Sequence, residues 1–130
     1  MKLPIHLSKS SHEPIYHQIE KQIQALIAGG TLPANTPLPS IRVLAKDLEI
    51  SAITIRRAYQ NLEIGGFIRT SQGKGTFVKE IDANLKSKVK TETVNRIIVE
   101  AVETAFQYDY TLEEIEDIFH KVIKAYNQKN

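Results

Sequence analysis

Apolar residues spaced three and four positions apart predict three helices in the first half of the chain. The first helix is predicted to begin at Pro14 and to end at Gly29-Gly30. Two more are predicted after Ser40 and Ser51, because serine is a favoured N-cap residue. Residues 32–39 contain three prolines and are expected to form a loop. The apolar stripes of the three helices are Ile15, Ile19, Ile23, Leu26 and Ile27, then Ile41, Leu44, Ala45 and Leu48, then Ile55, Ala58, Tyr59 and Leu62.

The pattern changes from helical to extended after Gly65-Gly66. Residues 67–70 and 76–79 are predicted to be two short strands, joined by a glycine-bearing turn over residues 71–75. Helix, short helix, helix and hairpin, in this order, are typical of a winged helix-turn-helix.

The last fifty residues predict two further helices. Residues 82–90 are polar and lysine-rich, so they are either a hinge or the exposed start of the first of these helices. Thr111 and Glu114 form a capping box for the second. Two helices of this length cannot bury such wide apolar stripes against each other alone, so the partner is either the N-terminal domain or a second copy of the chain. We predict a homodimer, with a dimerisation surface of Val94, Ile97, Ile98, Ala101, Val102, Phe106, Ile115, Ile118, Phe119 and Val122.

The predicted fold is therefore mainly α with a small β-hairpin wing. A winged helix-turn-helix, expected to bind DNA, would occupy residues 1–80, and a two-helix dimerisation tail would occupy residues 81–130.

Composition and charge narrow the range of functions. The chain has no cysteine, which excludes disulfides, thiolate zinc sites and cysteine nucleophiles. Residues 1–80 contain ten basic and six acidic side chains, a net charge of +4, whereas residues 81–130 contain seven and nine, a net charge of −2. This asymmetry favours a polyanion as the partner of the first part. We find neither a signal peptide nor an apolar run long enough to span a bilayer, so we expect a cytoplasmic protein without a membrane partner.

The third helix has the chemistry of a DNA-recognition helix. At about 100° per residue, Arg57 lies nearly opposite the apolar stripe and Arg56 lies on its flank. Arginine matches both guanine edges and phosphate. Ile53 also points away from the core, about 170° from the centre of the stripe, where it could pack on a thymine methyl group. Arg42 in the second helix and Lys74 at the hairpin tip add positive charge on two neighbouring elements.

Four segments together resemble the DNA-binding domain of the GntR family: residues 14–19 (PIYHQI), 38–45 (LPSIRVLA), 51–63 (SAITIRRAYQNLE) and 73–78 (GKGTFV). The resemblance implies a bacterial repressor-type regulator that binds a palindromic operator as a dimer. It places DNA contacts at Arg42, Ser51, Ala52, Ile53, Thr54 and Arg56, and a wing contact at Gln72-Gly73. With the residues indicated by charge and capping, the predicted DNA-binding set is Ser40, Arg42, Ser51, Ala52, Ile53, Thr54, Arg56, Arg57, Gln72, Gly73 and Lys74.

Within the family, the short C-terminal tail is similar to the YtrA subfamily, whose tail consists of two dimerisation helices. The sequence departs from the family pattern at Asn35, where glycine is common, and asparagine suits the position because it also accepts left-handed backbone. It departs again at Ala52 and Ile53, where polar or basic residues are more usual.

Other functions find less support in the sequence. Four scattered histidines suggest no metal site, and no nucleophile, base and orienting residue can be placed together, so we expect no enzyme activity, no metal and no cofactor. Gly73-Lys74-Gly75-Thr76 lacks the upstream glycine and the following helix of a phosphate loop. Two alternatives remain open: a winged-helix module that binds another protein, and a small-ligand sensor without an operator of its own. A small-molecule effector of unknown identity is a further expected partner.

Overall fold

A computed structural model of the chain describes the backbone of residues 2–129 and the side chains of residues 2–128. The described part contains five α-helices and three short strands, and the predicted mainly α fold with a small wing is confirmed. The elements are α1 (Ile15–Ala28), β1 (Pro37–Leu38), α2 (Ile41–Leu48), α3 (Ala52–Ile64), β2 (Ile68–Ser71), β3 (Gly75–Val78), α4 (Ala83–Gln107) and α5 (Leu112–Lys129).

The chain divides into two compact units, Met1–Lys90 and Thr91–Asn130. In the first unit, α1 and α2 both pack on α3, and the small sheet contacts α3 through β2. The predicted functional boundary between residues 80 and 81 remains a prediction. The side chains at the centre of the first unit are fully buried, and they include Ile19, Ile23, Ile27, Leu44, Ile55, Leu62, Ile68 and Val78.

Serine caps begin α2 and α3, as predicted. The Ser40 hydroxyl accepts a hydrogen bond from the Val43 amide at 3.1 Å, and the Ser51 hydroxyl accepts one from the Thr54 amide at 3.3 Å. Each bond satisfies an amide that has no partner within its own helix. Gly29 ends α1 and Gly65 ends α3. These helix boundaries follow from signals that lie within a few residues of each boundary.

The wing is a three-stranded sheet rather than the predicted two-stranded hairpin. Residues 37–38 form β1, which pairs antiparallel with β3, so the strand order is β1-β3-β2. The expectation that residues 32–39 are only a loop was therefore wrong at these two positions. Pro37 is tolerated because β1 is an edge strand of the sheet. Proline has no N–H to donate, and on an edge strand that group need not bond a neighbouring strand. The prolines excluded a helix but did not exclude a strand.

Ahead of α1, residues 2–8 pack against the rest of the first unit, a feature that the sequence analysis did not predict. Leu3 and Ile5 are buried in its core. The Gln22 side chain exchanges two hydrogen bonds of 2.8 Å with the backbone of His6. Gln18 does the same with the backbone of Ser8, at 2.8 and 2.9 Å. The alternation of buried and exposed positions at Leu3, Ile5 and Leu7 is the period-two pattern that could have indicated this segment.

Helices α4 and α5 contain the apolar stripes predicted for the tail. Residues 83–90 are the first turns of α4, which decides between the two alternatives left open for this segment in favour of a helix. The Thr111 hydroxyl accepts a hydrogen bond from the Glu114 amide at 3.1 Å, and a Glu114 carboxylate oxygen accepts one from the Thr111 amide at 2.9 Å, so the predicted capping box is confirmed. Among the described residues, no helix combines the length and the apolar character needed to cross a membrane.

Candidate nucleic-acid interface

Helix α3 divides cleanly into a buried and an exposed face. Ile55, Ala58, Tyr59 and Leu62 are buried, as the sequence predicted. On the other side, Ala52, Ile53, Arg56 and Arg57 are exposed and Thr54 is half-buried. The Ser51 and Thr54 hydroxyls lie 2.8 Å apart at the N-terminal end of the helix, where unpaired backbone amides favour an anion.

Helix α2 begins with two of the predicted contact residues, Ser40 and Arg42, and both are exposed. The start of this helix is tied to α3 by Tyr59, whose hydroxyl donates a hydrogen bond of 2.7 Å to the carbonyl oxygen of Pro39. Burial raises the pKa of the Tyr59 hydroxyl well above its ordinary value, so the hydroxyl remains a donor. Sequence reasoning assigned Tyr59 to the core and missed this link to the residue preceding Ser40.

The predicted wing contacts Gln72, Gly73 and Lys74 are exposed in the turn between β2 and β3. Gly73 has a φ of 78° and Gly75 a φ of 120°, backbone conformations that favour glycine. The Lys74 amide closes the turn by donating to the carbonyl oxygen of Ser71 at 2.9 Å. The sequence of this turn therefore fixes Lys74 at its tip.

The wing is also held to the end of α3. The Thr70 amide donates a hydrogen bond of 3.1 Å to a carboxylate oxygen of Glu63. On the same strand, the guanidinium of Arg69 lies 4.9 Å from the centroid of the Phe77 ring and donates to the Asn35 side chain at 3.1 Å. Strand β2 therefore attaches the wing to α3. The guanidinium of Arg69 is already engaged by Phe77 and Asn35.

Three of the predicted contact residues place positive charge on three parts of the fold: Arg42 on α2, Arg56 on α3 and Lys74 at the tip of the wing. Within the part of the chain whose side chains are described, no carboxylate lies within ion-pair distance of Arg42, Arg56 or Lys74. The predicted DNA-binding residues therefore lie in the N-terminal parts of α2 and α3 and at the tip of the wing. Helix α2 and strand β2 of the wing both contact α3. The same described residues include no group of three or more His, Asp or Glu side chains that could hold a metal ion.

The predicted dimerisation residues lie on α4 and α5 and remain largely exposed in the single chain. Val102 and Phe119 are half-buried, and Ile115 is buried. The other predicted residues are exposed: Val94, Ile97, Ile98, Ala101, Phe106, Ile118 and Val122.

Comparison with known proteins places this geometry in a family. A family model described as bacterial regulatory proteins, gntR family, matches residues 15–78, which run from the first residue of α1 to the last of β3. Over 108 residues the chain is 32% identical to the uncharacterized HTH-type transcriptional regulator YhcF of Bacillus subtilis (strain 168), and the match covers 81% of this chain and 89% of that protein. The chain belongs to the gntR family.

Two further proteins are similar to this gntR chain, one in sequence and one in structure. It is 37% identical over 76 residues to the HTH-type transcriptional repressor YtrA of Bacillus subtilis (strain 168), and the matched region covers 58% of each protein. It is similar to the structure of a GntR family transcriptional regulator from Listeria monocytogenes, with a TM-score of 0.75, 30% identity, and coverage of 88% of this chain and 98% of that one. The chain spans between 31% and 58% of the length of the first curated relatives that it matches.

The chain is a YtrA-like member of the gntR family, and the relatives named above are described as transcriptional regulators or repressors. The resemblance to the GntR family and to its YtrA-like members is confirmed, and so is the winged helix-turn-helix.

Proposed function

We propose that this protein represses transcription in the cytoplasm by binding a palindromic operator in double-stranded DNA as a homodimer. The observation that carries the proposal is the outward face of α3, where Ile53, Arg56 and Arg57 are exposed while the opposite face is buried. In helix-turn-helix proteins, the second helix of the motif enters the major groove with its N-terminal residues against the base edges. Relatives named as repressors support the sign of regulation.

The proposed contacts separate into two groups by chemistry. Ala52, Ile53 and Arg56 lie in the first turns of α3 and would face base edges, because arginine suits guanine and apolar side chains suit the thymine methyl group. The remaining predicted contacts would bind the sugar-phosphate backbone and position the protein, since hydroxyls, lysine and glycine amides favour phosphate. They are Ser40, Arg42, Ser51, Thr54, Arg57, Gln72, Gly73 and Lys74.

The homodimer is proposed from the tail. Helices α4 and α5 expose apolar side chains over most of their length, among them Ile97, Ile98 and Val122. A second copy of the same face would cover these side chains, and a symmetric dimer matches the two half-sites of a palindrome.

The test begins with selection of preferred duplexes by the full chain at a fixed salt concentration. Arg56→Ala should weaken binding to the selected duplex by about 1–3 kcal/mol and relax the sequence preference at one position. Arg42→Ala and Lys74→Ala should weaken binding to all sequences alike and should each reduce the slope of log affinity against log salt by about one unit.

Lys121→Ala is the matched control, because Lys121 is an exposed lysine on α5 in the tail and its removal changes the net charge by the same amount. A selection that returns no preferred sequence would contradict the operator and would favour the protein-interaction module or the ligand sensor. Wild-type affinity in both arginine variants would exclude the proposed interface.

A further inference from the structure

An aromatic ring from α1 lies under one of the arginines of α3. The guanidinium carbon of Arg57 is 4.0 Å from the centroid of the Tyr16 ring. Tyr16 is the second residue of α1 and is half-buried, whereas Arg57 is exposed. At this distance the guanidinium is attracted to the electron-rich face of the ring. The two residues are far apart in sequence, so only the packing of α1 along α3 brings them together.

A second contact joins the same two helices one turn further along. Asn61, one turn after Arg57, donates a hydrogen bond of 3.0 Å to a carboxylate oxygen of Glu20, one turn after Tyr16. Residues one turn apart lie on the same helix face, so the two contacts form a row along the flank of α3. The Tyr16 ring itself packs against the buried core of the first unit, so its position does not depend on Arg57.

Stacking leaves the hydrogen-bond donors of Arg57 available. A guanidinium has five N–H donors at the edge of its plane, and a ring against its face uses none of them. Within the described side chains, no carboxylate lies within ion-pair distance of Arg57, and no hydrogen bond from its guanidinium is found. Arg69 makes an instructive contrast, because it also lies over a ring but donates to Asn35. Arg57, unlike Arg69, therefore keeps its hydrogen-bond donors available at an exposed position.

We propose that Tyr16 is a positioning residue for DNA binding, and that its ring holds the Arg57 guanidinium ready to bind a phosphate of the DNA strand beside α3. The inference rests on the proposed function. We assign phosphate rather than a base as the partner of Arg57. The stack with Tyr16 holds the Arg57 side chain towards α1, whereas Ile53 points directly away from the core. A side chain that is already ordered loses less rotamer freedom on binding, which improves affinity without any new contact.

A double-mutant cycle in the full chain tests the coupling. The probes are the duplex selected by the wild-type protein and a mixed-sequence duplex of equal length. Arg57→Ala should weaken both and lower the slope of log affinity against log salt by about one unit. Tyr16→Leu should weaken both by the same factor, roughly two- to fivefold, as expected for loss of an exposed cation–π contact. In the Arg57→Ala background, Tyr16→Leu should cause no further loss, because there is no guanidinium left to position.

Two variants separate positioning from a general role in the fold. Tyr16→Phe keeps the ring and should bind both duplexes like the wild type. Asn61→Ala breaks the neighbouring contact between α1 and α3 without removing charge, and it should leave affinity unchanged. Thermal unfolding of each variant establishes that the folded protein is being compared.

The inference is overturned if Tyr16→Leu costs as much without Arg57 as with it, or if Asn61→Ala or Tyr16→Phe weakens binding as much as Tyr16→Leu. A loss in Arg57→Ala confined to the selected duplex would overturn the assignment to phosphate. A wild-type chain that binds the two duplexes equally contradicts the operator, while the coupling is still measured on the mixed-sequence duplex. A wild-type chain that binds neither contradicts the proposed function and this inference together.

Discussion

Ile53 and Ile55 are two positions apart in α3 and have opposite environments. Ile55 is fully buried, whereas 77% of Ile53 is exposed. Their separation of about 200° around the helix explains the difference, and the prediction that Ile53 points away from the core is confirmed. A large apolar side chain at the exposed start of a recognition helix can contact the thymine methyl group, the one apolar feature that a base pair presents in the major groove.

Substitution of single operator thymines by uracil tests this contact, because only the methyl group is removed. We expect one position at which uracil weakens binding of the wild type but not of Ile53→Ala. Affinities of both proteins for each substituted duplex, measured at the same salt concentration, provide the comparison. Ile64→Ala is a suitable control, since Ile64 is also exposed but lies at the opposite end of α3. If every thymine affects the two proteins equally, Ile53 makes no methyl contact.

Asn35 shows how far a single residue could be understood in advance. The expectation that asparagine adopts left-handed backbone here is confirmed by its φ of 68°. Its side chain also accepts a hydrogen bond from Arg69, 34 positions later in the sequence. The backbone conformation follows from the residue type, whereas the partner follows from strand β2 lying nearby.

At the scale of elements, Tyr59 connects α3 to the start of α2. Its ring contributes to the core, and its hydroxyl bonds the Pro39 carbonyl oxygen, next to the Ser40 cap. Because burial raises the pKa of this hydroxyl above the pKa of about 10 in an unfolded chain, the folded state favours the neutral form. The stability gained this way is fully present below pH 10 or so and is lost progressively as the pH rises beyond the unfolded pKa.

Tyr59→Phe should therefore flatten the alkaline fall in stability. We expect the free energy of unfolding of the wild type to decrease between about pH 9 and pH 11 more steeply than that of the variant. At neutral pH the variant should be less stable by about 1 kcal/mol, owing to the lost hydrogen bond. Urea titrations across this range provide both values. Tyr108→Phe, which alters an exposed tyrosine, should follow the wild type, and an equal flattening there would contradict the assignment to Tyr59.

At the scale of the whole molecule, the apolar surface of the tail exceeds what one chain covers. On α5, Ile115 is 5% exposed, but Val122 on the same stripe is 49% exposed. Helix α4 similarly exposes Val94, Ile97 and Ile98. Extended exposed apolar surfaces on soluble proteins usually mark an interface, in agreement with the proposed homodimer.

Val122→Asp should convert the proposed dimer to a monomer, because a charge buried in an apolar interface has no partner there. Sedimentation equilibrium at micromolar concentration measures the change, and binding to the selected palindrome should weaken as the gain from two linked sites is lost. His120→Asp introduces the same residue on the polar side of α5 and should remain dimeric. A wild type that sediments as a monomer, or equal effects of the two substitutions, would exclude this surface as the dimer interface.

The sequence by itself determined those features whose signals lie within one element or at its ends. Apolar periodicity gave the helices and their buried faces, Ser40 and Ser51 gave two helix starts, and Gly73 and Gly75 permitted the turn of the wing. Strand β1 escaped prediction because its two residues acquire a strand conformation only through pairing with β3, some forty positions later.

The tertiary structure alone decided the contacts that support the candidate interface. The contact of Tyr16 with Arg57 and that of Tyr59 with Pro39 each join residues from different segments of the chain. No local pattern specifies such pairs, because each residue has an ordinary conformation within its own segment. Their partners are set by how α1 and α2 pack on α3, which depends on burial of the whole core.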